Sequence, residues 1–271
     1  MGTASVNGIT VHFDDEGTGG GPPLLLVHGH PFDRSMWRPQ VKAFGRAGQR
    51  VIAPDLRGYG ESSVVPGKTT LDVFARDLEA LLDACGATGS IVVCGLSMGG
   101  QIVMEFCRLF PDRVAAIALA ATVPQNETDE GRLKRHAMAD RLLREGMGPY
   151  AEEILPKMLA DRSIKQRSAV AEHVLAMMRR AHPAGAAAAL RGRAERPSYE
   201  DVLAGLDIPA LIVVGDEDVF TTREDAERMH ALLKRSELVR MAGVGHMPNL
   251  ESTAEFNSAL ERLLGAVTVA A

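Results

Sequence analysis

The chain has 271 residues, 46% of them hydrophobic and 24% charged, a composition that fits a globular protein and excludes general disorder. Lys+Arg 30 against Asp+Glu 35 gives a formal net charge of −5, and no basic block is interleaved with aromatics, so neither nucleic acid nor an anionic membrane is an expected partner. At roughly 150 residues per domain the length falls just under two domains, or one α/β domain with an insertion.

In chain order, short apolar runs rich in β-branched residues alternate with helix-patterned segments, the signature of a mostly parallel sheet between helices. Residues 6–13, with a turn at Asn7-Gly8 and a glycine run at 17–21, predict an initial antiparallel pair. Further strands are expected at 23–27, 50–54, 90–94, 114–120, 210–214 and 237–241. Helices are expected at 70–82, where apolar residues recur at three and four, at 97–110, which stops before Pro111, and at 253–264, ending at Gly265. From 125 to 196 there is no strand candidate, only helix-patterned sequence, and its methionines Met138, Met147, Met158, Met177 and Met178 are expected to pack these helices or to line an adaptable apolar pocket.

Several local patterns carry no chemistry. Gly67-Lys68-Thr69 ends like a phosphate-binding loop, but Ser62 stands where that loop needs a glycine. His28-x-His30 could supply two metal ligands, yet no third follows at useful spacing, so no metal is expected. Cys85, Cys94 and Cys107 lie in apolar stretches without CxxC spacing and read as reduced packing residues. The N-terminus has neither a positive lead nor an apolar run, and no stretch approaches the ~18 apolar residues of a membrane span, so a cytoplasmic protein is expected. Asn126-Glu127-Thr128 then matches a glycosylation acceptor by chance.

The chemistry is carried by Gly95-Leu96-Ser97-Met98-Gly99, which follows one predicted strand and opens a predicted helix. The G-x-S-x-G pattern needs this context: the serine sits on a strained turn, the glycines remove Cβ atoms that would collide, and the hydroxyl projects above the sheet at a helix N-terminus. A serine hydroxyl needs a base to take its proton and a third group to orient that base. Of the 8 histidines, His246 alone lies in a loop directly after the last predicted strand, at the sheet edge where Ser97 also emerges and where ligands of open α/β sheets collect. The same edge offers Asp216, Glu217 and Asp218 as the acid, and position does not separate Asp216 from Asp218.

These motifs resemble those of the α/β-hydrolase family, in its small esterase, lactonase and cofactor-free haloperoxidase branch. His28-Gly29-His30-Pro31 resembles the family's H-G-x-P loop, residues 55–62 its D-x-R-G-x-G-x-S turn, residues 95–99 its nucleophile elbow and Gly245-His246 its terminal G-H. The resemblance implies an α/β-hydrolase fold, a mostly parallel eight-stranded sheet flanked by helices, with core residues 1–124 and 197–271 and a helical cap at 125–196. It places the acid on Asp218, third after glycine in G-x-x-D, and the oxyanion hole on the backbone amides of Met98 and His30. His30 departs from the usual apolar residue of relatives, His28 reads as a buried hydrogen-bonded support, and Arg57 as a structural turn residue.

The expected function is hydrolysis of carboxylic esters of small to medium acyl chains, without a cofactor. Lactonase or perhydrolase chemistry is the nearest alternative, and a ligand receptor without turnover is the alternative of a different class. Serine at 97 argues against the haloalkane dehalogenase and epoxide hydrolase relatives, which use a carboxylate nucleophile. The expected partner is a small-molecule ester or lactone in an apolar pocket, and a homodimer is allowed.

Overall fold

Strands β1 (Gly2–Val6) and β2 (Ile9–Glu16) form an antiparallel hairpin whose turn residues Asn7 and Gly8 both have positive φ, 47° and 75°, as a hairpin turn matching the right-handed strand twist requires. Sequence alone joins part of both strands into a single run at 6–13, because β1 alternates exposed and half-buried residues and lacks an apolar pattern. The computed structural model describes residues 1–268. Its remaining strands are β3 (Leu24–Val27), β4 (Val51–Pro54), β5 (Ile91–Leu96), β6 (Val114–Ala120), β7 (Ala210–Gly215) and β8 (Ser236–Met241). All eight join one sheet in the order β1-β2-β4-β3-β5-β6-β7-β8, antiparallel through β1, β2 and β4 and parallel from β4 to β8. Every residue of β3, β4, β5 and β7 is buried, which is why these strands read as unbroken apolar runs.

Helices cover both faces. On one, α2 (Leu71–Ala84) and α3 (Met98–Leu109) bury Phe74, Leu78, Ile102 and Phe106. On the other, α1 (Arg38–Arg46) and the C-terminal helix, Thr253–Thr268, bury Phe44, Phe256 and Leu260 around Trp37. The C-terminal helix runs through Gly265, where the sequence predicts its end. Val267 beyond that glycine is 8% exposed and joins the core, so tertiary contact overrides the local stop.

Between β6 and β7 the chain forms α4 (Asp129–Glu145), α5 (Met147–Met158), α6 (Asp161–Gln166), α7 (Ser168–Arg180), α8 (Pro183–Arg193) and α9 (Glu200–Gly205). Helices α10 (Arg223–Leu232), α11 (Pro248–Glu251) and α12 (Thr253–Thr268) complete the order. Met147, Met158, Met177 and Met178 are buried and Met138 packs against the core, so all five methionines fill space. Helix α8 explains its own composition: Thr69 N–H donates to Ala188 O at 3.0 Å, and a Cβ on Gly192 would stand 1.7 Å from Thr69 O. It lies backbone against backbone on the loop between β4 and α2, where Gly185 and Gly192 leave no room for a Cβ and Ala186 to Ala189 are buried. No helix among the described residues is long and apolar enough to cross a membrane.

Gly192→Ala tests this contact. Alanine is the better helix former by about 1 kcal/mol, yet overpacking against fixed backbone should reverse the sign and destabilise by roughly 1–3 kcal/mol in urea unfolding. A gain in stability would mean that α8 does not press on Thr69.

Candidate active site

Five loops leave the sheet at the C-terminal ends of β3, β5, β6, β7 and β8 and meet at one edge. The strand order reverses direction there, since the chain passes from β3 to β4 on one side and returns to β5 on the other, the crevice that such a sheet opens to a ligand. Ser97 follows β5 with φ 57° and ψ −116°, outside the usual regions for a residue with a side chain. The turn is held by close approach. A Cβ on Gly95 would lie 2.3 Å from Gly99 O, and one on Gly99 2.2 Å from Val27 O, so the first turn of α3 presses on the ends of both β5 and β3. Thr122 Oγ1 donates to Ser97 O at 2.7 Å from the loop after β6.

His246 stands in the loop after β8, buried, with Nδ1 at 2.9 and 3.0 Å from the two carboxylate oxygens of Asp218. Since an ionised carboxylate only accepts, Nδ1 carries the proton and Nε2 is the basic nitrogen. Asp218 Oδ1 is itself fixed by the amides of Phe220 and Thr221 at 2.8 and 3.2 Å, and the ring of Phe220 stands edge-on to His246. Asp216 is exposed and makes no bond to the imidazole among the described residues, so the geometry separates the two aspartates that position alone does not. Ser97 and His246 line one cavity of about 260 Å³, together with His30.

The loop after β3 uses its two histidines differently. His28 is fully buried, its Nδ1–H donating to Gly29 O and its Nε2 accepting from Leu56 N, both at 2.9 Å, which makes it the support between two loops. Burial holds its pKa below the usual histidine value. Arg57 pairs bidentately with Asp77 at 2.7 and 2.8 Å, a structural tie. His30 lines the cavity, with Nδ1 at 2.8 Å from Tyr59 Oη and no protein partner for Nε2. Burial, and then the charges of Arg193 and Arg135, hold it well below the usual histidine value, so it is neutral.

The cavity departs from the apolar pocket expected from the sequence. Ile154, Met158 and Leu190 do line it, but so do Arg135, Arg193 and Arg196. Sequence reasoning also misses Glu251, which is 2% exposed in α11. Its carboxylate accepts the amides of Ala160, Gly245 and Met247 at 2.9, 3.0 and 3.2 Å, joining both sides of His246 to the segment after α5. An acidic residue next to Leu250 in a short apolar stretch is the one trace of this role in the sequence. Among the described residues no cluster of three or more His, Cys, Asp or Glu could hold a metal ion.

Glu251→Ala would leave three buried amides without an acceptor, each worth about 1–3 kcal/mol. The expected result is a loss of several kcal/mol in urea unfolding, with faster hydrogen exchange at Gly245 and Met247, and unchanged exchange there would refute the role.

Comparison with known proteins agrees with this architecture. The profile of the alpha/beta hydrolase fold family matches residues 22–253. A thermophilic esterase from Thermogutta terrifontis, solved with malate bound, is 39% identical, with 98% of this chain and 97% of that one covered and a TM-score of 0.93. The 3-oxoadipate enol-lactonase 1 of Acinetobacter baylyi is 26% identical over 92% of this chain and 91% of its own length. The bifunctional epoxide hydrolase 2 of Sus scrofa is 36% identical over 123 residues, 44% of this chain, and the match spans only 22% of that protein. The chain therefore belongs to the α/β-hydrolase fold family, among esterases and enol-lactonases.

Proposed function

We propose that the protein is a serine hydrolase that cleaves carboxylic esters of small to medium acyl chains, with lactones as cyclic members of the same substrate class. The observation that carries the reading is the pairing of a strained elbow serine with an Asp218-held His246 on one cavity. Ser97 Oγ attacks the carbonyl carbon while His246 Nε2 takes its proton, and Asp218 stabilises the imidazolium that results. The amides of Met98 and His30 receive the oxyanion. Met98 opens α3, so its N–H has no partner within the helix, and one such donor is worth about 3 kcal/mol of barrier.

Collapse of the tetrahedral intermediate breaks the bond to the alcohol oxygen, which leaves with the proton from His246. Water then gives a proton to the same nitrogen and attacks the acyl carbon, and a second collapse returns the proton to Ser97 as the acid departs. In a lactone the leaving alcohol stays tethered to the acyl group, and the similarity to an enol-lactonase over nearly the whole chain favours keeping this second substrate form. Hydrogen peroxide in place of water would give a peracid by the same steps. Buried Cys94 and Cys107 offer no competing nucleophile, since burial pushes both thiols up, Cys107 to about 12. Helices α4 to α8, within residues 125–196, act as a cap over the cavity in this reading, through Arg135, Ile154 and Arg193.

A fluorophosphonate probe should label Ser97 in folded protein, and Asp218→Asn should lower kcat by orders of magnitude through the wrong imidazole tautomer while Asp216→Asn leaves it nearly unchanged. Unlabelled Ser97 in folded protein would overturn the enzyme reading. Equal losses from the two substitutions would move the acid.

A further inference from the structure

Arg193, at the end of α8, is 8% exposed and lines the cavity that holds Ser97. Its Nε donates to Gln101 Oε1 at 3.1 Å, and among the described residues its guanidinium has no other hydrogen bond and no carboxylate partner. The surroundings add positive charge. Arg135 and Arg196 also line the cavity, Glu127 alone answers both of them, and no Asp or Glu belongs to the lining. Asp218, the other carboxylate at the site, is taken by His246. Burial, and then the neighbouring Arg135 and Arg196, disfavour charge on Arg193. A guanidinium nevertheless stays protonated in a protein, so the site carries uncompensated positive charge in a water-poor environment.

Packing does not explain this residue, because methionine or leucine would fill the volume without desolvating a charge. A ligand anion would explain it. A second observation concerns His30. Among the described residues the Tyr59 hydroxyl has no acceptor other than His30 Nδ1, so Tyr59 donates there and Nε2 carries the ring proton. That buried N–H has no protein acceptor. Two donors on one cavity thus lack the acceptors a ligand oxygen would supply.

We infer that the substrate carries a carboxylate as well as the reacting ester, and that Arg193 is the specificity residue that holds it. The inference rests on the serine hydrolase reading above. Gln101, which anchors Arg193, lies one helical turn beyond Ser97, and its backbone N–H donates to Ser97 O at 3.2 Å. The carboxylate is therefore gripped beside Gln101, on the same cavity wall as Ser97. The substrate class this fits is the monoester of a dicarboxylic acid.

Monoethyl glutarate and ethyl pentanoate share a chain length and differ only in the carboxylate. The wild-type protein should turn over the anionic ester with the higher kcat/KM. Arg193→Met should lower that value roughly 30- to 100-fold, mainly through KM, the loss expected for a charge-assisted hydrogen bond. The same change should alter the neutral ester by less than about threefold and should not lower the Tm, because removing an unpaired buried charge relieves a cost. If the methionine variant does not fold, Arg193→Lys, which keeps the charge but not the fork, should give an intermediate loss on the anionic ester alone. Calorimetric titration of glutarate into Ser97→Ala reads the carboxylate grip without catalysis and should show binding. A wild-type preference for ethyl pentanoate, equal losses on both esters, or no glutarate binding would each overturn the inference. If Ser97 reacts with the fluorophosphonate and hydrolyses ethyl pentanoate while these tests fail, the hydrolase reading stands and only the carboxylate preference falls.

Discussion

The backbone of Ser97 is the constraint on which the rest of the site depends. A residue with a side chain costs of order 1–3 kcal/mol in such a conformation, and the surroundings leave it no alternative. The chain must turn from β5 into α3 within the reach set by Gly95 and Gly99, whose missing Cβ atoms let the helix touch two strand ends at once. That contact fixes Ser97 at the sheet edge and places Gln101 one turn further along the cavity wall. An alanine at either glycine would push the helix off the sheet and disturb all of these together.

Around this fixed point the other groups are held by bonds that reach across the sequence. Asp218 arrives from β7 and His246 from β8, and Glu251 locks the His246 loop to the segment after α5. The helices between β6 and β7 are thereby tied to the same loop that carries the imidazole. They also supply most of the charge on the cavity wall. The sheet edge brings Ser97 and His246 to one cavity, and the helices between β6 and β7 supply Arg135, Ile154 and Arg193 to its wall.

The parts that could be read from the sequence are those whose cause is local. The buried strands announce themselves as apolar runs because both their faces are covered, and the elbow because its glycines are a steric requirement. His246 was legible by position after the last strand. Asp218 and Asp216 could not be separated by position, because the choice depends on how the loop after β7 folds back so that the amides of Phe220 and Thr221 orient one carboxylate. The bounds of the edge strand β1 within the expected antiparallel pair, and helix α1 altogether, lack a local mark because each buries few residues. Glu251 and Arg193 are hard to read for a different reason: Arg193 acts on Gln101 and Glu251 on Ala160, both far away in the chain, and little in their own neighbourhood marks a charged side chain as buried. The expectation of an apolar pocket failed on the same ground, since Arg193 and Arg196 sit in a stretch that reads as an ordinary charged helix end.

The central claim is that an acyl group passes through Ser97. Its most direct measurement is an acid quench of the protein during turnover of an activated aryl ester, followed by mass spectrometry of the peptides. The account predicts a mass increase equal to the acyl group on the peptide containing Ser97, accumulating with the first burst of phenol and absent in Ser97→Ala. Sustained turnover with no acyl adduct on that peptide, or an adduct on another residue, would contradict it.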